Sequence, residues 1–191
     1  VTCTNFEEVI NTLGEHVLTI SYEGKTAIYR IEVVDQVTGI EIDVTNMKKD
    51  YLYGEELDLT NATVKAVMKS LASAEVKEIT ADMIVGYNKV ALGEQEITVS
   101  YLGYEENFKV NVADYTTSIK VTAPSKISYI SGDELDLTGM IVSKVLASGA
   151  TEELLQSEVS ITGYDKLTVG TQEIIVTYQE FTDSFRVVVV D

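Results

Sequence analysis

The chain is poor in the residues that most often mark chemistry. Its 191 residues include no tryptophan, one cysteine, one histidine and one proline. A lone cysteine, Cys3, excludes an internal disulfide, so any module must stand on its hydrophobic core, as exported proteins can. Catalysis by a nucleophile needs a base beside it and a third group to orient that base, and a lone histidine, His16, offers little for that. A lone proline, Pro124, excludes a proline-rich stalk. Bases are scarce, with 14 Lys and Arg against 31 Asp and Glu, for a formal charge of -17. Such a chain repels phosphate backbones and anionic lipid surfaces, so neither nucleic acid nor a membrane is an expected partner. No apolar run approaches the ~18 residues of a spanning helix; the longest, Val187 to Val190, is of strand length. Zinc spacings, nucleotide fingerprints and phosphate-cradling loops are missing, and the chain is not expected to be an enzyme. No leader precedes Val1, and the pattern opens in mid-course, as a fragment of something longer would.

What is present is repetition. Hydrophobic residues make up 45% of the chain, led by Val, Ile and Tyr, with Thr frequent among the polar types, a composition that suits pleated, half-buried strands. Gly54-Glu55-Glu56-Leu57-Asp58-Leu59-Thr60 returns 78 positions later as Gly132-Asp133-Glu134-Leu135-Asp136-Leu137-Thr138. Gly86-Tyr87-Asn88 returns as Gly163-Tyr164-Asp165. Gly93 to Tyr101 (GEQEITVSY) returns as Gly170 to Tyr178 (GTQEIIVTY), and each copy closes on an alternating strand and an aspartate, Asp114 or Asp191. A third copy, back half only, opens the chain: Gly14 to Tyr22, then Tyr29, Ile31, Val33 and Asp35. The expected organisation is therefore 1–35 as the C-terminal half of a repeat, 36–114 as a full repeat and 115–191 as another.

Within each repeat the apolar residues alternate with polar ones, as in Ile97, Val99 and Tyr101 or Phe108, Val110 and Val112. Period-two alternation predicts strands with one buried and one wet face. Short turns join the last two strands of each copy, at Glu23-Gly24-Lys25, Leu102-Gly103-Tyr104 and Gln179-Glu180-Phe181. Many short strands in under about 80 residues predict a two-sheet sandwich, with helix confined to one turn near Thr151 to Gln156. The joins between repeats, Asp35 to Thr38 and Asp114 to Thr117, contain neither Gly nor Pro, and stiff connections are expected there. The half repeat, holding only the last strands of a sandwich, cannot bury a two-sided core alone.

These motifs resemble the bacterial Ig-like domains, most closely those of group 3. The match runs through residues 130–139, 163–165, 170–178 and 185–189, with the tyrosine that precedes the Gly-Glu element replaced by Ile130 or Ser131 in the last repeat. The resemblance implies an all-β fold of tandem immunoglobulin-like Greek-key β-sandwiches. It also implies a surface or secreted protein of a Gram-positive bacterium, such as an adhesin or a multi-domain polysaccharide-degrading enzyme. It carries no catalytic residues.

Three sets of residues are candidates for more than architecture. Tyr104 and Phe181 stand at hairpin tips, where this fold binds ligands through its loops; a host protein or glycan would be the partner, although the absence of Trp weakens a sugar-binding reading. Ile175, Val188 and Val190 stand at outward positions where the middle repeat has Thr98, Asn111 and Ala113, so an apolar outer face could meet a neighbouring domain or a partner. Asp35 and Asp114 (and Asp191) close the repeats, where calcium is the one cofactor to consider; the alternative is a solvated acidic face, and no EF-hand-like loop supports the ion. The expected role is that of a non-catalytic extracellular spacer, with an adhesive or carbohydrate-binding module, or an accessory domain of a secreted enzyme, as the alternatives.

Overall fold

The computed structural model describes residues 1–70 and 74–191. The N-terminal segment forms β1 (Thr2–Thr4), a short helix α1 (Phe6–Ile10), β2 (Gly14–Tyr22) and β3 (Lys25–Val33). The middle repeat forms β4 (Val37–Asp43), β5 (Asp50–Leu52), β6 (Thr63–Met68), β7 (Val76–Glu78), β8 (Ile84–Val85), β9 (Gly93–Tyr101) and β10 (Tyr104–Ala113). The last repeat follows the same plan with β11 (Thr116–Thr122), β12 (Ser128–Ile130), β13 (Ile141–Leu146), β14 (Thr151–Leu154), β15 (Ser160–Thr162), β16 (Gly170–Tyr178) and β17 (Phe181–Val190). The described residues cluster into two compact units, Val1–Lys49 with Asp58–Tyr87 and Glu96–Lys109, and Asp50–Leu57 with Asn88–Gln95 and Val110–Asp191.

The last repeat shows how the sequence pattern becomes a sandwich. One sheet runs β12-β17-β16-β15 and the other β11-β13-β14. On β16 and β17 the register sets Ile174 opposite Phe185 and Gly170 opposite Val189, and alternate residues then fall on one face. Ile174, Val176, Phe185, Val187 and Val189 are all buried there, in one core with Tyr129 from β12 and with Ile119, Val142 and Leu154 from the three-stranded sheet. Burying each of these side chains is worth about 1.5–3 kcal/mol, which is why the period-two pattern dictates two layers. The chain changes sheet between β11 and β12, again between β12 and β13, and again between β14 and β15. The one parallel pairing in this repeat sets β12 beside β17, with Tyr129 opposite Val189.

The middle repeat has the same two strand orders, β5-β10-β9-β8 and β4-β6-β7, and the same parallel pairing, with Tyr51 opposite Val112. Ile40, Tyr51, Val64, Ile97, Val99, Phe108, Val110 and Val112 are buried at the equivalent positions, and Met47, Ala62 and Ile79 are buried in addition. In the N-terminal segment β1, β2 and β3 form one antiparallel sheet. Cys3 pairs with Ile20 as Ile84 pairs with Val99 and Ile161 with Val176, so β1 is the counterpart of β8 and β15. Val9 on α1 is the buried hydrophobic residue of this segment.

Two local features depart from the sequence reading. Thr151–Leu154 is a strand, because Thr151 to Leu154 pair with β13 and Leu154 enters the core; the helical turn lies just beyond, at Gln156–Glu158. Helix α1 had no recognised signal. The tyrosine that matters is Tyr129, not a residue at 130 or 131. It is 1% exposed, as is Tyr51. Its hydroxyl lies 2.9 Å from the Lys126 carbonyl and 3.1 Å from the Asp136 carbonyl, and accepts the Asp136 N–H at 3.2 Å. One buried phenol thus pins the Gly-Asp-Glu-Leu-Asp-Leu segment to the core. The Gly-Tyr element has a steric cause. Gly86 and Gly163 have φ of 106° and 98°, and a Cβ there would lie 2.5 Å and 2.3 Å from the carbonyl oxygens of Glu96 and Glu173.

Adjacent residues on β16 offer a direct check of this architecture. Ile174→Ala should cost about 2–5 kcal/mol in urea unfolding, whereas Ile175→Ala should cost under about 1 kcal/mol. Equal losses at the two positions would contradict the assigned faces.

Candidate functional site

The hairpins between the last two strands of each copy place the tip aromatics. In the middle repeat Leu102 and Gly103 both have positive φ, 52° and 82°, the conformation of a two-residue turn that matches strand twist. The turn delivers Tyr104 to a half-buried position, where its hydroxyl donates to the Val37 carbonyl at 2.9 Å. In the last repeat Gln179 alone takes the left-handed conformation, and Phe181 packs against the core cluster. Both rings are therefore engaged by their own surroundings. Beside Phe181, Asp183 accepts the Val121 N–H at 2.7 Å, a tie between β17 and β11 that the sequence reading did not foresee.

Ile175, Val188 and Val190 do face outward. They are 42%, 40% and 42% exposed. The pairing of β12 with β17 puts Ile130, also exposed, opposite Val190, beside Val188; Ile175 stands apart from them, opposite Ser184, with Glu173 and Arg186 between. The neighbours of Val188 across the sheet are Ser128 and Thr171.

The closing aspartates meet hydrogen-bond donors. Asp35 Oδ1 accepts the Gln36 and Ser70 N–H groups at 2.8 Å and 3.2 Å, and Oδ2 accepts the Ser70 hydroxyl. Asp114 Oδ1 accepts the Tyr115 and Ser148 N–H groups at 3.0 Å and 3.2 Å. The Ser70 hydroxyl holds the Asp35 carboxyl below the ordinary value of 3.8, and the bonds from Ser148 and Tyr115 hold that of Asp114 below it. Among the described residues no three His, Cys, Asp or Glu side chains come together as a metal site. The two serines had a signal in the sequence, since Ser70 and Ser148 share the repeat spacing.

His16 and Cys3 show no catalytic arrangement. A ring nitrogen of His16 lies 2.6 Å from the Thr12 carbonyl, and Cys3 is an exposed free thiol. His16 lines a depression of about 370 Å³ with Glu15, Val17, Arg30, Ile31 and Glu32. A second depression of about 410 Å³ lies over Glu41, Asp43, Thr45, Thr63, Lys65 and Val76. Lys65 is paired with Glu41 at 3.0 Å in that depression.

The acidic residues of the loops are mostly turn formers. Asp136 Oδ1 accepts the Thr138 N–H at 2.9 Å, and Asp58 accepts that of Thr60 at the same distance. Asp43 accepts from Thr45 at 3.0 Å and Asp165 from Leu167 at 2.9 Å. These are Asx turns, in which the carboxylate closes the loop. The bond from the Thr138 side chain, then that from its N–H, holds Asp136 below the ordinary 3.8, and Asp58 is lowered in the same way by Thr60. For Asp43 and Asp165 the backbone bonds, from Thr45 and Leu167, weigh most.

Two strand-switching sandwiches with a parallel edge pair, repeated in tandem, define an immunoglobulin-like modular protein. Residues 44–112 and 122–189 each match the bacterial Ig-like domain of group 3, and the chain belongs to that family. It is 28% identical over 155 residues to a pectate lyase L of Thermoclostridium stercorarium, a match covering 80% of this chain and 12% of that protein. It is 31% identical over 152 residues to an exo-beta-1,6-galactobiohydrolase of Bifidobacterium longum subsp. longum, covering 74% of this chain and 10% of that protein. The chain thus spans about a tenth of the length of these relatives. Among solved structures it is similar to domains 4–9 of the surface layer protein SbsC, with 14% identity, a TM-score of 0.29, and coverage of 94% of this chain and 35% of that one.

The turn carboxylates set an acid limit on stability. Their pKa values are lowered by folding, so the stability they contribute is present above about 3.8 and is lost as pH falls through the lower folded values. The urea midpoint should stay flat from about pH 7 to 5 and drop below about pH 4. An Asp136→Asn, Asp165→Asn variant should show a shallower acid slope than the parent, and identical slopes would refute the assignment.

Proposed function

We propose that this chain is a non-catalytic spacer of a bacterial extracellular protein, secreted or held at a Gram-positive cell surface, which extends or presents domains lying elsewhere in the parent. The observation that carries the reading is the family match together with the small share of long relatives that the chain spans. A module that forms so small a part of long proteins with different named activities supplies something other than the reaction. The polar groups agree with this. The aspartates of the loops close turns, and the tip aromatics are held by their own repeat.

The second reading, an accessory domain of a polysaccharide-acting enzyme, is favoured by the names of the two relatives. It differs in the parent and not in the work done by these residues. Recognition of a glycan or host protein through Tyr104, Phe181 or the outer-face residues Ile175, Val188 and Val190 is the alternative that the experiment must exclude.

The deciding experiment presents the folded 191-residue chain to polysaccharides, including pectin and galactans, and to host matrix proteins, with and without calcium. The expected result is no saturable binding and no release of sugar from any substrate. Saturable binding that disappears in a Tyr104→Ala, Phe181→Ala variant, or in one with Val188 and Val190 changed to Thr, would replace the spacer with a recognition module.

A further inference from the structure

The bonds made by Asp35 and Asp114 belong to a larger set that occurs twice. Each aspartate follows the last strand of one repeat and stands two residues ahead of the first strand of the next: β4 begins at Val37 and β11 at Thr116. In the first junction the Gln36 N–H and the Ser70 N–H converge on Asp35 Oδ1. There the Lys69 N–H donates to the Gln36 carbonyl at 2.8 Å, and the Thr38 hydroxyl to the Val67 carbonyl at 3.1 Å. In the second, the Tyr115 N–H and the Ser148 N–H converge on Asp114 Oδ1. Here the Ala147 N–H donates to the Tyr115 carbonyl at 2.9 Å, and the Thr117 hydroxyl to the Val145 carbonyl at 3.1 Å. The four bonds match one for one. A register shift accompanies each set, between Val37 and Gly39 and between Thr116 and Ser118.

We infer that Asp35 and Asp114 are carboxylate clamps at which each repeat is handed to the next. The aspartate grips the turn that follows the third strand of the incoming repeat, while its own backbone follows the last strand of the outgoing one. Between β10, which ends at Ala113, and β11, which starts at Thr116, the linker is Asp114 and Tyr115 alone, and both are bonded. A carboxylate suits this task because one oxygen can take two N–H groups, and charge-assisted bonds are roughly twice as strong as neutral ones. At Asp35 the donors on both oxygens make them poor ligands for a cation, since N–H and O–H groups point where the ion would sit. Asp114 Oδ2 is buried and has no donor of its own among the described residues, so the grip at the second junction rests on Oδ1.

The inference deepens the spacer reading, because a linker without a freely rotating residue is what a spacer needs, yet the two can fail separately. Ligand binding in the screen above would end the spacer reading and leave the clamp intact. The clamp is tested by ¹⁵N relaxation and hydrogen exchange on the whole chain and on Asp114→Ala and Asp114→Asn variants. In the parent the Tyr115 and Ser148 amides should show order parameters of about 0.85, the value of rigid backbone. In Asp114→Ala the order parameter of Tyr115 should fall toward about 0.6 and exchange of the Ser148 amide should quicken roughly tenfold. Exchange at Ile174 and Val176 in the core should not change. Asp114→Asn keeps a carbonyl acceptor and should retain most of the order. An unchanged linker in Asp114→Ala would overturn the inference, and so would equal loss of protection at Ile174 and Val176, which would make the aspartate an ordinary folding residue. Asp35→Ala should reproduce the effect at Gln36 and Ser70.

Discussion

A β-hairpin whose side chains alternate apolar and polar has one face that water must not reach, and in the last repeat a second sheet covers it. The same hairpin occurs three times, which makes the dependence visible. Phe185 is 7% exposed and Phe108 is 6%, but their counterpart in the N-terminal segment, Tyr29, is 65% exposed. Strand pairing is the same in the first and last copies, with Gly14 opposite Val33 and Tyr22 opposite Lys25 as Gly170 is opposite Val189 and Tyr178 opposite Phe181. Backbone hydrogen bonds therefore do not bury the aromatic position; the facing strands with Ile119, Val142 and Leu154 do.

With the interior reserved for apolar side chains, the polar groups are left to shape the loops. No polar or charged residue is buried among the described ones. The large acidic excess is accommodated in part because many aspartates accept backbone N–H bonds in turns, where the negative charge is useful. The exposed lysine pairs, such as Lys65 with Glu41 at 3.0 Å or Lys144 with Glu152 at 2.8 Å, are worth at most about 1 kcal/mol each. Tyr129 connects the two realms. Its ring meets Tyr164 edge-on at 5.4 Å within the core region, its hydroxyl holds the loop, and Lys126 lies over it at 4.6 Å.

The strands of the sandwich were legible because burial on one face writes a period of two into any strand long enough to show it. β9, β10, β16 and β17 are nine or ten residues long and stood out; β5, β8 and β12 are two or three long, too short for a period. β5 and β12 are placed by a parallel pairing and β8 by an antiparallel one across the sheet, which no local pattern records. Helix α1 was missed for a similar reason, since its five residues hold one buried position, Val9. The outward aim of Ile175, Val188 and Val190 followed from alternation alone. The engagement of Tyr104 by Val37, 67 positions earlier, did not, because a side-chain bond across that separation leaves no trace in spacing. Ser70 and Ser148 lay in between: their shared repeat offset was readable, but only the folded junction says what a serine there is for.

Internal duplication separates what the fold requires from what it tolerates. Most core positions, the close-packed glycines Gly86 and Gly163, the buried tyrosines and the four junction bonds are the same in both full repeats. The outer face is not, for Thr98, Asn111 and Ala113 give way to Ile175, Val188 and Val190. A face under no demand from folding is free to drift, but drift to three apolar residues on an exposed sheet works against solubility, which favours polar side chains there. The junction and the outer face are thus opposite cases. The clamp bonds explain why the closing aspartates stay the same, whereas no contact inside its own module explains the apolar residues on the outer face of the last repeat.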